Sequence, residues 1–227
     1  MNFDLLFVAA EPRECEPFLR HWTDAADAHL PVHWSRAGKW NGRKCVVIAN
    51  GAGVERARIA VTVAPAPVVC SIGFCGGLDA SLQIGDIFVA SEVRNGSRRW
   101  QAAAPAPCRT GNGPLQTAAR IVSTAREKSE LRAQGSLAVD MEASGVARAS
   151  EEAGAAFYCI RAVSDLANET FVNDFNACLM PDGRFNTGRL VRRAMLSPSR
   201  MGELIRLAGR ASIAAKNLGE YLACCEF

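Results

Sequence analysis

Short apolar runs rich in β-branched residues, several of them closing in glycine turns and most followed by a segment of helical spacing, constrain this chain more than any other feature. Residues 5–10, 45–50, 68–72, 87–92, 118–123, 136–139 and 156–163 read as strands. Helical spacing covers about 13–22, the stretch carrying Val54, Ala57, Ile59 and Val61, and then 126–133 and 141–153. This alternation specifies an α/β fold with a central mixed β-sheet flanked by helices. A length of 227 residues fits a single domain spanning 1–227. Residues 95–113 change to Arg, Ala, Pro and Gly and read as a long, mobile loop. The last part, about 184–222, reads as a helical extension of two helices, 188–196 and 198–222, with Ser197-Pro198 as the start signal of the second.

Charge and cysteine usage exclude several function classes. A net charge of +3 is too small to mark a nucleic-acid binder. The nine cysteines mostly interrupt apolar runs, as in Val68-Val69-Cys70 and Phe157-Tyr158-Cys159, and read as reduced, buried small hydrophobes of a cytoplasmic protein. With three histidines and no CxxC pair, no metal site is expected. The amino terminus, Met1-Asn2-Phe3-Asp4, has no basic flank, and the apolar stretch behind it is too short to span a bilayer.

Three glycine-containing turns follow strands, and their backbone N–H groups can cradle an anion or a sugar hydroxyl. By themselves such turns are more often only turns. Two acids stand in better-defined places. Glu142, in Val139-Asp140-Met141-Glu142, lies in the first turn of a helix, where an ionised carboxylate is favoured and could accept hydrogen bonds from two neighbouring hydroxyls. The alternative is a helix-capping Asp140 with Glu142 exposed. Asp165 closes Ile160-Arg161-Ala162-Val163-Ser164-Asp165, where partial desolvation would raise its pKa and let it donate a proton. The alternative there is a second cap or a turn residue.

Taken in order, the segments resemble a known superfamily. Ser71-Ile72-Gly73-Phe74-Cys75-Gly76-Gly77-Leu78 with Ile84-Gly85-Asp86-Ile87 is similar to the GxxGGL…xGD signature of the methylthioadenosine/adenosylhomocysteine nucleosidases and related nucleoside phosphorylases. Val139–Glu142 and Arg161–Asp165 resemble that family's ribose-binding and catalytic-acid motifs, Gly51-Ala52-Gly53-Val54 its second-strand loop, and Glu14 the acid after its first strand. The resemblance implies that Asp165 protonates a purine N7 and that Glu142 holds the ribose hydroxyls with Met141 packed on the sugar. It implies that Glu14 orients the nucleophile, that Gly51, Gly53, Phe74, Gly76 and Gly77 lie near the sugar or nucleophile, and that the base sits by Val122 and Ser123. A carboxylate near the sugar would stabilise an oxocarbenium-like transition state. The substrate is then a small-molecule nucleoside, with no metal or organic cofactor, and the family's habit implies a homo-oligomer. Phe74 and Ser71 replace residues that bind phosphate in relatives, with Arg13 or Arg56 as substitutes, so inorganic phosphate and water both remain open as co-substrate.

Later segments, Ser123–Lys128, Asp174-Phe175-Asn176 and Pro181-Asp182-Gly183-Arg184, resemble the hopanoid-associated phosphorylase subgroup, which implies adenine release from the lipid-linked nucleoside adenosylhopane. The rivals are a soluble methylthioadenosine/adenosylhomocysteine or futalosine nucleosidase, against which the segment 181–193 argues, and a non-catalytic nucleoside-binding protein, against which the three acids argue. Between Arg184 and Arg210 seven arginines face one acid, Glu203. On the helix from Gly188, Leu190, Val191, Ala194 and Met195 share one face, with Arg189, Arg192 and Arg193 towards the other. Such a helix either makes peripheral contact with an anionic membrane or packs its apolar face on the domain.

Overall fold

The computed structural model describes residues 2–107 and 111–227. Cys108, counted above among the buried cysteines, and part of the loop at 95–113 lie outside the described residues. In chain order the elements are β1 (Leu5–Ala9), α1 (Glu16–Leu19), β2 (Thr23–Asp27), β3 (Trp34–Trp40), β4 (Arg43–Ala49), α2 (Val54–Val63), β5 (Val68–Gly77) and β6 (Ile87–Asn95). They continue with β7 (Arg98–Gln101), β8 (Gly113–Thr117), α3 (Ala125–Ala133), β9 (Ala138–Asp140), α4 (Ala143–Ala153), β10 (Ala156–Asp165), α5 (Thr187–Ala194) and α6 (Pro198–Ala223).

Among the described residues all ten strands belong to one mixed sheet, in which β5 pairs with β1, β9 and β10. Because β10 continues to β6, β6 to β8 and β8 to β9, those strands close a ring through β5, while β1, β4, β3 and β2 extend from it as an open sheet. The parallel strands β1, β4, β5 and β10 therefore end on one side. At that side β9 pairs antiparallel with the last residues of β5, Gly76 opposite Val139. Ligand sites of α/β sheets form outside such carboxyl ends.

Strand periodicity divides the core in two. In β1, Leu6 and Val8 face one layer with Val46 and Ile48 of β4, Ala57, Ala60 and Val61 of α2, and Val146 and Ala147 of α4. Leu5, Phe7 and Ala9 face the opposite layer, with Phe18 of α1 and Ala214, Leu218 and Leu222 of α6. There Phe7 meets Phe18 edge-on at 5.0 Å, and the C-terminal Phe227 meets Phe7 at 5.7 Å. α6 is thus part of the core at its C-terminal half, while its N-terminal half and α5 reach over the carboxyl ends of the strands.

Several expectations need correction. The helix expected at 13–22 is a turn of 3-10 helix, Pro12–Glu14, followed by the four residues of α1. The strand expected at 118–123 lies earlier, as β8, and the loop expected at 95–113 contains β7, which pairs with β6. The glycine segment 73–77 is the end of β5 rather than a turn beyond it. Like β7, β2 and β3 have no counterpart in the sequence reading: every residue of β2 is exposed, so no apolar alternation marks it. Asn41-Gly42, with positive φ at both residues, is the tight-hairpin signal that places β3 beside β4. Ser197 makes no side-chain cap hydrogen bond at the start of α6.

α2 and α4 pack so closely that a Cβ on Gly145 would lie 2.0 Å from the carbonyl oxygen of Val54. Relieving that overlap by moving a helix costs about 1–3 kcal/mol or more. Gly145→Ala is expected to lower Tm by at least about 2 °C in a chain of this size. Gly202→Ala, in α6 with open space at its Cβ, is expected to leave Tm unchanged or raise it. Thermal melts followed by circular dichroism check both, and equal Tm values for Gly145→Ala and wild type would contradict the packing.

Candidate active site

Three acids converge outside the carboxyl ends of the strands, each held by a different turn. The 3-10 turn after β1 carries Glu14, whose Oε2 accepts hydrogen bonds from the backbone N–H groups of Ala10 at 2.8 Å and Glu11 at 2.9 Å. Its Oε1 accepts from Phe74 N–H at 3.1 Å. The absent side chain of Gly73 leaves room for it, since a Cβ there would lie 2.9 Å from Oε1. Burial pushes the Glu14 carboxyl up, against the hydrogen bond from Glu11.

Glu142 opens α4. Its Oε1 accepts from Gly53 N–H at 3.0 Å and its Oε2 from Met141 N–H at 3.2 Å, so it joins the turn after β4 to the turn after β9. Burial, and then the neighbouring Asp140 and Glu14, push its pKa up to about 8. This reverses the expectation of a carboxylate kept ionised by the helix end. The cap of α4 comes from Asp140, whose Oδ2 accepts from Ala143 N–H at 2.8 Å. Asp140 also pairs with the fully buried Arg161, Nη2 to Oδ2 at 2.6 Å, while Thr117 donates to its other oxygen at 2.9 Å. The same Arg161 nitrogen donates to Ser71 at 2.8 Å.

Asp165 ends β10, with 14% of its side chain exposed. Lys128 of α3, with no exposure at all, donates to its Oδ1, and the Ser164 hydroxyl lies 3.0 Å from its Oδ2. Burial pushes the Asp165 carboxyl up, while the Lys128 ammonium pulls it back. Gly76 gives it room, because a Cβ there would lie 2.9 Å from Oδ1.

The acids line one cavity of about 480 Å³, within the usual range for small-molecule sites. Glu14, Asp140, Glu142, Ser164 and Asp165 form its polar end, with Phe74, Gly76, Met141 and Val122 beside them. Phe171 stands near Asp165, its ring 5.4 Å from the Lys128 ammonium, and the rest of the lining is largely apolar: Phe175 and Phe185, Leu190 and Val191 of α5, and Leu204, Leu207, Ala208 and Ala211 of α6. A more open cleft of about 500 Å³ runs beside α3 and holds none of the three acids.

Among known proteins, the family model described as the phosphorylase superfamily matches residues 101–180. The 5'-methylthioadenosine/S-adenosylhomocysteine nucleosidase of Shewanella oneidensis is 31% identical over 65% of this chain and 77% of its own length. The chain belongs to the nucleoside phosphorylase/nucleosidase superfamily. The nucleosidase of the same description from Chromohalobacter salexigens is 27% identical over 76% of this chain and 88% of its own. The crystal structure of the Neisseria meningitidis nucleosidase in complex with methylthio-immucillin-A shares the fold, with a TM-score of 0.71, 18% identity and 96% of both chains covered. The protein is thus a nucleosidase or phosphorylase with a single-domain α/β fold.

Of the positions singled out from sequence, Glu14, Phe74, Gly76, Val122, Met141, Glu142 and Asp165 line the cavity. Gly51, Gly53, Gly77 and Ser123 do not line it. Gly53 acts one step back, through its bond to Glu142, and Gly77 is engaged in pairing with Ala138 of β9. The Ser123 hydroxyl turns to the carbonyl of Ile121. Gly51, at φ 89°, supports a loop instead: a Cβ there would lie 2.7 Å from Asp182 O, and the adjacent Ala52 N–H donates to Gly183 O at 2.8 Å. Arg13 reaches the cavity wall and Arg56 does not. Of the face expected to meet either a membrane or the domain, Leu190 and Val191 line the cavity and Ala194 is buried, while Met195 is exposed.

Sequence reasoning missed Arg161, Lys128 and the α6 part of the wall. Leu204, Leu207, Ala208 and Ala211 follow the i, i+3, i+4, i+7 spacing of one helix face and were legible in principle. Lys128 had a weaker signal: α3 has no apolar stripe, and Lys128 is its one buried residue.

A Glu142 carboxyl with an ordinary value near 4.5 in the unfolded chain and about 8 in the folded one favours folding below that window and loses this contribution as pH rises through it. Glu142→Gln removes the titration. The difference in Tm between Glu142→Gln and wild type is expected to move in the variant's favour from pH 5 to pH 8 and then level off. A pH-independent difference would contradict a raised Glu142.

Proposed function

We propose that the protein cleaves the N-ribosidic bond of an adenine nucleoside substituted at its 5′ carbon, releasing adenine, with a large apolar 5′ group of the adenosylhopane type as the favoured substituent. The observation that carries this reading is one cavity with three acids at its polar end and an apolar wall at the other.

In this reading Asp165, whose carboxyl burial pushes up, gives a proton to the purine N7 as the N9–C1′ bond breaks and the bonding pair leaves with the base. Glu142, its pKa raised to about 8, holds the 2′ and 3′ hydroxyls, with Met141 on the sugar. Water attacks C1′ and loses its proton to Glu14, which regenerates the neutral product sugar. Water is favoured over phosphate because the arginines at hand are engaged: Arg13 pairs with Glu11 at 2.5 Å, Arg120 with Glu127, and Arg161 with Asp140. The relatives named above are nucleosidases, which supports the same choice. The base lies towards Val122 and Phe171, and the 5′ substituent runs along α5 and α6.

Adenine release from a panel of adenosines with 5′ groups of increasing apolar length, with and without phosphate, tests the reading. Expected are a kcat/KM that rises with apolar length, no dependence on phosphate, and a loss of ~10²–10⁴-fold in Asp165→Asn. Preference for the shortest 5′ group, or wild-type turnover by Asp165→Asn, would overturn it.

A lipid-linked substrate must be met at a membrane. Among the described residues no helix is long and apolar enough to cross one. Beyond the inward-facing part of α5, Met195 is 72% and Leu196 80% exposed, with Ile205 at 68% on α6 and Arg189 and Arg192 close by in sequence. Exposed apolar side chains beside arginines fit an anionic bilayer, each arginine contributing about 1 kcal/mol near its surface. The protein is expected to co-sediment with anionic vesicles at low salt and to be released at high salt and by Arg189→Ala/Arg192→Ala. No sedimentation, or a homodimer that hides the patch, would rule out this contact.

A further inference from the structure

Lys128 is the one buried residue of a nine-residue helix, and nothing in the reaction as read above uses it. Its side chain is fully enclosed. A lysine ammonium is strongly hydrated, and enclosing one without partners is costly. Here the ammonium donates to Asp165 Oδ1 and, at 2.6 Å, to the carbonyl of Leu166, and it lies 5.4 Å from the centre of the Phe171 ring. α3 is itself fixed at its start by a reciprocal Thr124–Glu127 capping box and by Ala125 N–H donating to Thr170 at 3.0 Å. The helix therefore delivers one rigidly based cation to the back of the acid. Lys128 does not line the cavity, so it can act only through Asp165.

We propose that Lys128 is a positioning residue for Asp165: it fixes one carboxyl oxygen from behind, leaves the other beside Ser164, and sets the pH at which the acid gives up its proton. The proposal rests on the reading of Asp165 as the acid acting on the leaving base. The charged and titratable groups around Asp165 come from several elements: Lys128 from α3, Cys75 from β5, and Glu169 from the loop after β10. Glu169 is itself bound to Arg210 of α6 at 2.6 Å, which leaves Lys128 as the cation in direct contact with the acid. Burial by itself favours the protonated carboxyl and would make the proton hard to release. The ammonium opposes burial, so the acid is poised between the two and able both to release its proton and to recover it in each turnover.

The pH profile of kcat for adenine release distinguishes this role from mere support of the fold. Activity that needs a protonated Asp165 falls as pH rises through its pKa. Removing the cation raises that pKa, so in Lys128→Met the alkaline limb is expected to move to higher pH by about one unit or more. At the wild-type optimum kcat is expected to fall about 10-fold or more with KM changed little, as the carboxyl loses its fixed orientation. Lys128→Arg keeps the charge and is expected to keep the position of the limb. Should the methionine variant not fold, Lys128→Gln retains a donor for the Leu166 carbonyl without the charge, and the same shift is expected of it. A limb that stays at the wild-type pH in the uncharged variants, with activity lowered evenly at all pH values, overturns the proposal. Wild-type turnover by Asp165→Asn on the same substrate would instead overturn the reading on which it rests.

Discussion

A guanidinium and a carboxylate, both removed from water, hold this structure together where its strands converge. Arg161 projects from β10, Asp140 ends β9, and their 2.6 Å contact draws in Ser71 of β5 and Thr117 of β8. The ring of strands is thus cross-linked by side chains as well as by its ladders. Pairs of this kind are expensive to desolvate, and removing one partner from a buried pair typically costs about 3–5 kcal/mol. The arrangement also fixes the site, because Asp140 starts α4 through Ala143 and so determines where Glu142 stands. The Arg161 charge opposes the upward shifts of both Glu14 and Glu142, which otherwise crowd one small volume with negative charge.

The parts of the fold with strong patterns were legible in the sequence. Apolar runs such as Leu5-Leu6-Phe7-Val8 in β1 and Cys45-Val46-Val47-Ile48 in β4 bury both faces and mark themselves. β2 could not be found that way because none of its residues is buried, and β7 escaped within a segment of arginines, alanines and prolines. In the site, the acids and their glycines stand in local motifs, so Glu14, Phe74, Gly76, Val122, Met141, Glu142 and Asp165 reach the cavity as the resemblance implies. The rest depends on contacts across long separations. Lys128 meets Asp165 across 37 positions and Arg161 meets Ser71 across 90, and no local periodicity encodes either meeting.

The cavity couples two kinds of chemistry that are usually in conflict. Burial raises the carboxyls of Asp165 and Glu142, and apolar lining contributes to that burial. The residues of α5 and α6 that would accommodate an apolar substituent, Leu190, Val191, Leu204 and Leu207, therefore also maintain the low-dielectric surroundings of Asp165 and Glu142.

The contact between Gly51 and Gly183 has a wider meaning for how such a protein can diverge. Each backbone occupies the space where the other would carry a side chain: a Cβ on Gly183 would lie 2.5 Å from Ala52 O, and one on Gly51 would lie 2.7 Å from Asp182 O. The turn that ends in Gly53 holds Glu142, and the loop that contains Gly183 leads into α5. The turn that holds Glu142 and the loop that leads into the far wall are consequently joined backbone to backbone, not assembled from interchangeable parts. A loop transplanted from a relative to alter the wall would displace the turn that holds Glu142 unless that turn were exchanged at the same time, so drift in one segment is tied to drift in the other.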